Sequence, residues 1–308
     1  MKKSVLIIFI GSMLFNCSFK KDELKSNEKI NYIPYYLKVY EADSLFLIKK
    51  HKNSYQILDS IFEKYKPLNQ TTIFEYETYV KLSFLFDKKK SSMNAKFEKL
   101  ISEFGYDKSY FKEDDVLNNL YIKLNDKLYD SLRKSYLSSI NLSLRDSVFD
   151  MKTLDQKYRY NVDDNKNVFE KRKNVDSINA EKLRSIFNRN IYPNESVIGN
   201  YSVDYRFTPT ILTILLHTND SIRKEYFLPK LNKFVREGKC SPLVYGLLLD
   251  QISNYNNENQ KYGTYNTNQI ELEKYNSLNR NRKNIGLPSI EYVVWKNNQI
   301  LKKYKIEY

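Results

Sequence analysis

Glycine and proline are scarce in this chain, seven of each among 308 residues, and that scarcity narrows what the chain can fold into. A β-rich protein uses both residues freely in tight turns, so long stretches without them favour helices. Between them, apolar residues recur at spacings of three and four, which places them on one helical face. Hydrophobic residues make up 41% of the sequence, enough to bury a core. The expected class is mainly α, with at most a few short strands.

Residues 31–150 read as helices in series. Residues 44–65 carry Tyr55, Leu58, Ile61, Phe62 and Tyr65 on one face, and Pro67 stops the run. Residues 72–86 form a second helix and residues 95–104 a third, closed by Gly105. Asp114 or Asp115 caps a fourth over residues 116–128. Helix pairs joined by short polar turns are similar to tetratricopeptide-type hairpins. Such a stack offers a partner a surface; it is equally a helical cap on the rest of the protein. His51, among Lys49, Lys50 and Lys52, belongs to a solvated face.

The N-terminus reads as an address. Lys2 and Lys3 precede an apolar run from Val5 to Phe15, about half of the ~20 residues that span a bilayer. A charged start and a short apolar core make a secretory signal. Its ending, Leu14-Phe15-Asn16-Cys17, resembles a bacterial lipobox. The resemblance implies cleavage after residue 16, lipid on Cys17, and a polar tether over residues 17–30. On the plainer alternative the signal is an ordinary one and Cys17 is incidental. Lipid on Cys17 leaves Cys240 without an intrachain partner. The expected location is the cell envelope, anchored to the inner or outer membrane.

The net charge of +14 is uneven: residues 17–150 carry 23 basic and 20 acidic side chains, residues 151–308 carry 26 and 17. A basic field attracts nucleic acid, anionic lipid or an acidic small molecule. Export argues against nucleic acid, leaving the membrane, a protein partner or an anionic ligand.

Residues 151–308 form a second helical region. Asp155 and Arg159 are four apart and share a helical face, with Gln156 beside them. Asn179 reads as an N-cap, with Ile178 and Leu183 as a hydrophobic staple. Thr208-Pro209 starts a short helix that ends at His217. Asp220 caps a helix running to Glu237, divided or kinked at Pro229 and closed by Gly238; Ser241-Pro242 opens the next. That helix carries Asp250 one turn after Gly246, which leaves space beside the carboxylate. A loop, Gln260-Lys261-Tyr262-Gly263-Thr264, follows. Thr267 or Asn268 begins a long helix stopped at Gly286, and residues 292–295 read as a strand or a docking tail.

Asp155-Gln156-x-x-Arg159, Asp176-x-x-Asn179, Pro193, Ile198-Gly199, His217, Asp250, Gln260-x-Tyr262-Gly263-Thr264 and Arg282-x-x-x-Gly286-Leu287 fall in an order that resembles an uncharacterised bacterial family, domain of unknown function 6624. The resemblance covers about residues 150–295. Gln251 stands where that pattern usually has arginine, and Tyr265 where it has glutamine. The family implies a domain and no established reaction.

Widely separated glycines exclude a Gly-rich phosphate loop, and there is no Gly-x-Ser-x-Gly elbow. Two distant histidines and one free cysteine argue against structural zinc; no metal and no cofactor is expected. Two functions fit. One is a membrane-anchored envelope lipoprotein with a ligand- or partner-binding helical domain. The other is a small-molecule or glycan-processing enzyme. In that second case His217 is the acid/base, Asp250 or Asp155 orients it, and Asp155, Gln156, Arg159, Gln260, Tyr262, Gly263 and Thr264 hold substrate.

Overall fold

Helix α1 (Ile33–Leu47) opens with Pro34 in its first turn, where a missing N–H costs nothing. The computed structural model describes residues 30–159, 166–205, 210–265 and 270–304. Cys17 and the expected signal lie outside these, as do the helix starts expected at Thr208-Pro209 and at Thr267 or Asn268.

The expected helix over residues 44–65 is two helices. α1 ends at Leu47, Lys49 turns left-handed (φ 62°), and α2 (His51–Phe62) follows. Neither glycine nor proline marks the break, so apolar spacing alone runs through it. Five further helices continue the series: α3 (Glu75–Phe86), α4 (Lys90–Ser102), α5 (Lys108–Phe111), α6 (Asp115–Ile122) and α7 (Asp126–Ser139). Asp114 caps α6 through the Val116 and Leu117 N–H groups. The helix expected over residues 116–128 is thus α6 and part of α7, divided where Asn125 caps α7.

α8 (Leu142–Lys157) runs through residue 150, the expected boundary. Near its start the fully buried Arg145 donates to the Ile198 and Gly199 carbonyls at 2.9 and 3.0 Å and pairs with Asp204 at 2.9 Å. Asp155 lies near its end. α9 (Lys166–Asn188) is long, and α10 (Glu195–Ile198) is a single turn. Asn179 lies inside α9, so it is no N-cap. It is buried and donates to the Met151 carbonyl of α8 at 3.0 Å.

α11 (Leu212–His217) is followed by α12 (Asp220–Ile222), which Asn219 caps rather than Asp220. A wide π turn over Arg223–Phe227 then leads into α13 (Leu228–Arg236). The π turn lets Pro229, which has no N–H to give, sit in a continuing helix. α14 (Pro242–Tyr255) starts from the Ser241 cap. After a 3-10 turn at Leu272–Lys274 come α15 (Tyr275–Asn284) and α16 (Ile290–Tyr304). Residues 292–295 are therefore helical, and among the described residues there is no strand. The chain is mainly α.

A single cluster of buried apolar side chains runs from Ile33 to Ile252. A smaller one, Tyr262, Ile285 and Leu287, meets it through Tyr245 and Leu249. α1 ties distant parts together. The Tyr36 hydroxyl shares its proton between the carbonyls of Val235 (3.1 Å) and Cys240 (3.0 Å). Asp43 receives Lys296 at 2.9 Å and the Tyr292 hydroxyl, which docks α16 on α1. Tyr35 donates at 2.7 Å to the buried Glu75, whose other oxygen accepts the Gln70 N–H at 2.8 Å.

Candidate functional site

Three helices meet where α8 ends. α8 and α9 lie side by side, with Asn179 of α9 bonded to Met151 of α8. Asp155 is one turn beyond Met151 and Asp176 one turn before Asn179, so both carboxylates come to the same junction. α11 packs on both helices and delivers His217 from its last turn.

Asp155 is 1% exposed. Its Oδ1 lies 2.8 Å from His217 Nδ1, and its Oδ2 accepts a hydrogen bond from the Gln156 amide. Arg159 lies between the other groups. One of its terminal nitrogens is 2.6 Å from Asp176 Oδ1 and 3.5 Å from Asp155 Oδ1. Its Nε is 2.9 Å from His217 Nδ1 and 3.3 Å from Nε2. Nδ1 cannot both donate to Asp155 and accept from Arg159. A carboxylate only accepts, so its 2.8 Å contact calls for a proton on Nδ1, whereas Arg159 has Nε2 as a second acceptor within reach. Nδ1–H therefore donates to Asp155, and Nε2 is left to accept from Arg159. Burial raises the Asp176 carboxyl above its ordinary value; Arg159 opposes that rise and Asp155 adds to it.

Asp176 was missing from the residues expected at the site. Its signal was the Asp176-x-x-Asn179 spacing, which puts an acid one turn from a buried asparagine.

The other half of the expected constellation is built differently. Asp250 makes no hydrogen bond to His217; its carboxylate belongs to residues 260–264. Asp250 Oδ1 accepts the Lys261 and Tyr262 N–H groups at 2.9 and 3.1 Å. Its Oδ2 accepts the Thr264 N–H at 2.8 Å and the Thr264 hydroxyl at 2.7 Å. From the other side, buried Arg282 donates to the Tyr262 carbonyl at 2.8 Å and the Pro288 carbonyl at 2.6 Å. Burial lowers the Arg282 guanidinium to about 10, which leaves it charged at neutral pH. The loop is thus held by its N–H groups on a buried anion and by its carbonyls on a buried cation.

Gln260 closes the loop on the Tyr265 backbone, accepting its N–H at 3.0 Å. Gly263 is left-handed (φ 61°), and a Cβ there would come within 2.3 Å of Ile270. The space beside Gly246 is filled by the Thr264 methyl, 3.0 Å from where a Cβ would stand. Gln260, Tyr262, Gly263, Thr264 and Asp250 therefore make a structural brace.

The brace reaches the His217 helix indirectly. The Tyr265 ring stands on Tyr255, whose hydroxyl accepts from Gln251 at 3.3 Å. Gln251 accepts a hydrogen bond from Arg223, which also donates to the Leu216 carbonyl at 3.3 Å.

No protein-family model, curated protein or solved structure matches the chain, so the chemistry of the site rests on its own atoms.

Proposed function

We propose that this chain is an exported envelope protein, anchored by lipid on Cys17, and that its helical body is a binding module. Ligand meets it at Asp155, Arg159, Asp176 and His217. The supporting observation is the enclosure of Arg159 by two carboxylates and an imidazole from three helices. Three of these groups stay within reach of solvent: Arg159 is 19% exposed, Asp176 21% and His217 28%. A few placed polar groups converging from separate segments are what ligand sites use. Such a cluster is a poor device for stability alone, since apolar side chains of similar volume often do as well or better. The helices α1 to α4, each packed on the next, resemble tetratricopeptide-type hairpins and suit a protein partner.

The test has two arms. Intact-mass analysis of the membrane fraction should show loss of residues 1–16 and a lipid increment; a mature start elsewhere would refute the anchor. A small-molecule screen by thermal shift should give a ligand whose effect disappears in His217→Ala.

A second function, acid/base catalysis, draws on one specific contact. Of the two acids expected to orient His217, Asp155 is hydrogen-bonded to it and Asp250 is not. A carboxylate on Nδ1 leaves Nε2 as the proton-transferring atom. Turnover of a screened compound, lost in His217→Ala, would favour this function over simple binding.

A further inference from the structure

We propose that Asp155, Asp176 and His217 form a site for a divalent transition-metal ion, and that Arg159 is the cation that holds the site closed. The proposal rests on the cluster being a ligand site and names the ligand. Each of the three residues offers one ligand atom, and these atoms lie within 4.8 Å of one another. Two carboxylates and an imidazole are a donor set for Zn²⁺, Mn²⁺ or Fe²⁺ rather than for Ca²⁺ or Mg²⁺, which prefer oxygen ligands throughout. Without Arg159 the cluster carries two negative charges, one of them on a carboxylate almost wholly buried.

Arg159 stands where a cation belongs. Its guanidinium lies between the carboxylates, 2.6 Å from one and 3.5 Å from the other, with Nε beside the imidazole. A long side chain can leave such a position without unfolding anything. It projects just past the end of α8, whose last helical residue is Lys157. On binding, coordination bonds to Asp155, Asp176 and His217 replace the contacts of Arg159, and water completes the shell. The imidazole can present Nδ1 once its proton has moved to Nε2. The basic charge of this half of the chain then belongs to other surfaces, because an anion at this cluster would face two carboxylates.

The full-length protein in detergent, stripped with chelator, is titrated with ZnSO₄ and MnCl₂ by calorimetry. Wild type should bind one equivalent of at least one of these ions. Asp176→Asn and His217→Gln should weaken binding at least about tenfold, and Arg159→Met should strengthen it by about tenfold through loss of the competing cation. Arg159→Gln serves if the methionine variant fails to fold, and circular dichroism checks each protein. Weaker binding in a folded Arg159 variant overturns the proposal. So does binding that ignores His217→Gln, or no binding in wild type and the Arg159 variant alike. A screened ligand that depends on His217 while metal does not bind defeats the metal inference and leaves the binding function standing. Failure of both removes the site.

Discussion

His217 Nδ1 and Asp155 Oδ1 are 62 positions apart in the sequence and 2.8 Å apart in the fold. The contact makes one proton arrangement better than its alternatives. With Asp155 ionised, a neutral His217 keeps its proton on Nδ1 and turns the Nε2 lone pair toward Arg159.

Asp155→Asn tests that arrangement. The variant removes a buried carboxylate that Gln156 and Arg159 also meet, so it should cost about 1–3 kcal/mol, seen as a melting temperature lower by several degrees. Long-range ¹H–¹⁵N spectra should show the Nδ1–H tautomer of His217 in wild type, with that bias lost in the variant. An unchanged tautomer would mean that Asp155 does not orient the ring.

Asp250→Ala and His217→Ala should behave as opposites. Asp250 is the buried acceptor for four donors of one loop. Its removal leaves those donors and Arg282 uncompensated, at a cost of about 3–5 kcal/mol. His217 is partly exposed, and Asp155 keeps Gln156 and Arg159 without it, so His217→Ala should cost under about 1 kcal/mol. Melting curves with and without ligand separate the two. A strongly destabilised His217→Ala whose folded fraction still binds would make His217 architectural.

Lys81 should stabilise the fold only between its titration limits. It pairs with Glu77 at 2.5 Å and with Asp114 at 2.7 Å. Burial lowers its pKa, but Glu77 and Asp114 outweigh burial and hold it above its ordinary value. Burial raises the Asp114 carboxyl, yet Lys81 and the Leu117 and Val116 N–H groups bring it below its ordinary value. The lysine's contribution is complete below about pH 10 and lost as pH rises through its raised folded pKa. The aspartate's is complete above about pH 4 and lost as pH falls through its lowered folded pKa. Lys81→Met should cost about 1 kcal/mol at pH 7, and the deficit should shrink at both extremes. Denaturant midpoints at pH 2.5, 7 and 11 check it; a constant deficit would point to lost packing by the lysine stem.

Unfolding should be one transition across residues 31–308. Tyr36 of α1 bonds the Val235 and Cys240 carbonyls, and one apolar cluster spans both regions. Fluorescence of Trp295, the single tryptophan, and circular dichroism of all the helices should then give the same denaturation curve. Tyr36→Phe should move both together by about 1 kcal/mol. Curves that part would support a boundary near residue 150.

What the sequence by itself determined was local. Helical class followed from sparse glycine and proline and from apolar spacing, because a helix is decided by residues three and four apart. The cap at Ser241, the cap of α6 to within one residue (Asp114 or Asp115) and the stop at Gly105 were legible for the same reason, each being settled within a turn of the residue concerned. So was the shared face of Asp155 and Arg159. Tertiary structure decided the rest. Asp250 follows three leucines on its own helix, and nothing there tells a catalytic carboxylate from a structural one. That depended on which backbone folded back onto it, and residues 261–264 did. Asp176 joined His217 only because α8 and α9 pack side by side, and α16 proved to be a docked helix only because Asp43 on α1 receives it. A helix needs only its own neighbours. A buried polar group is defined by its partners, and those are chosen when distant segments meet.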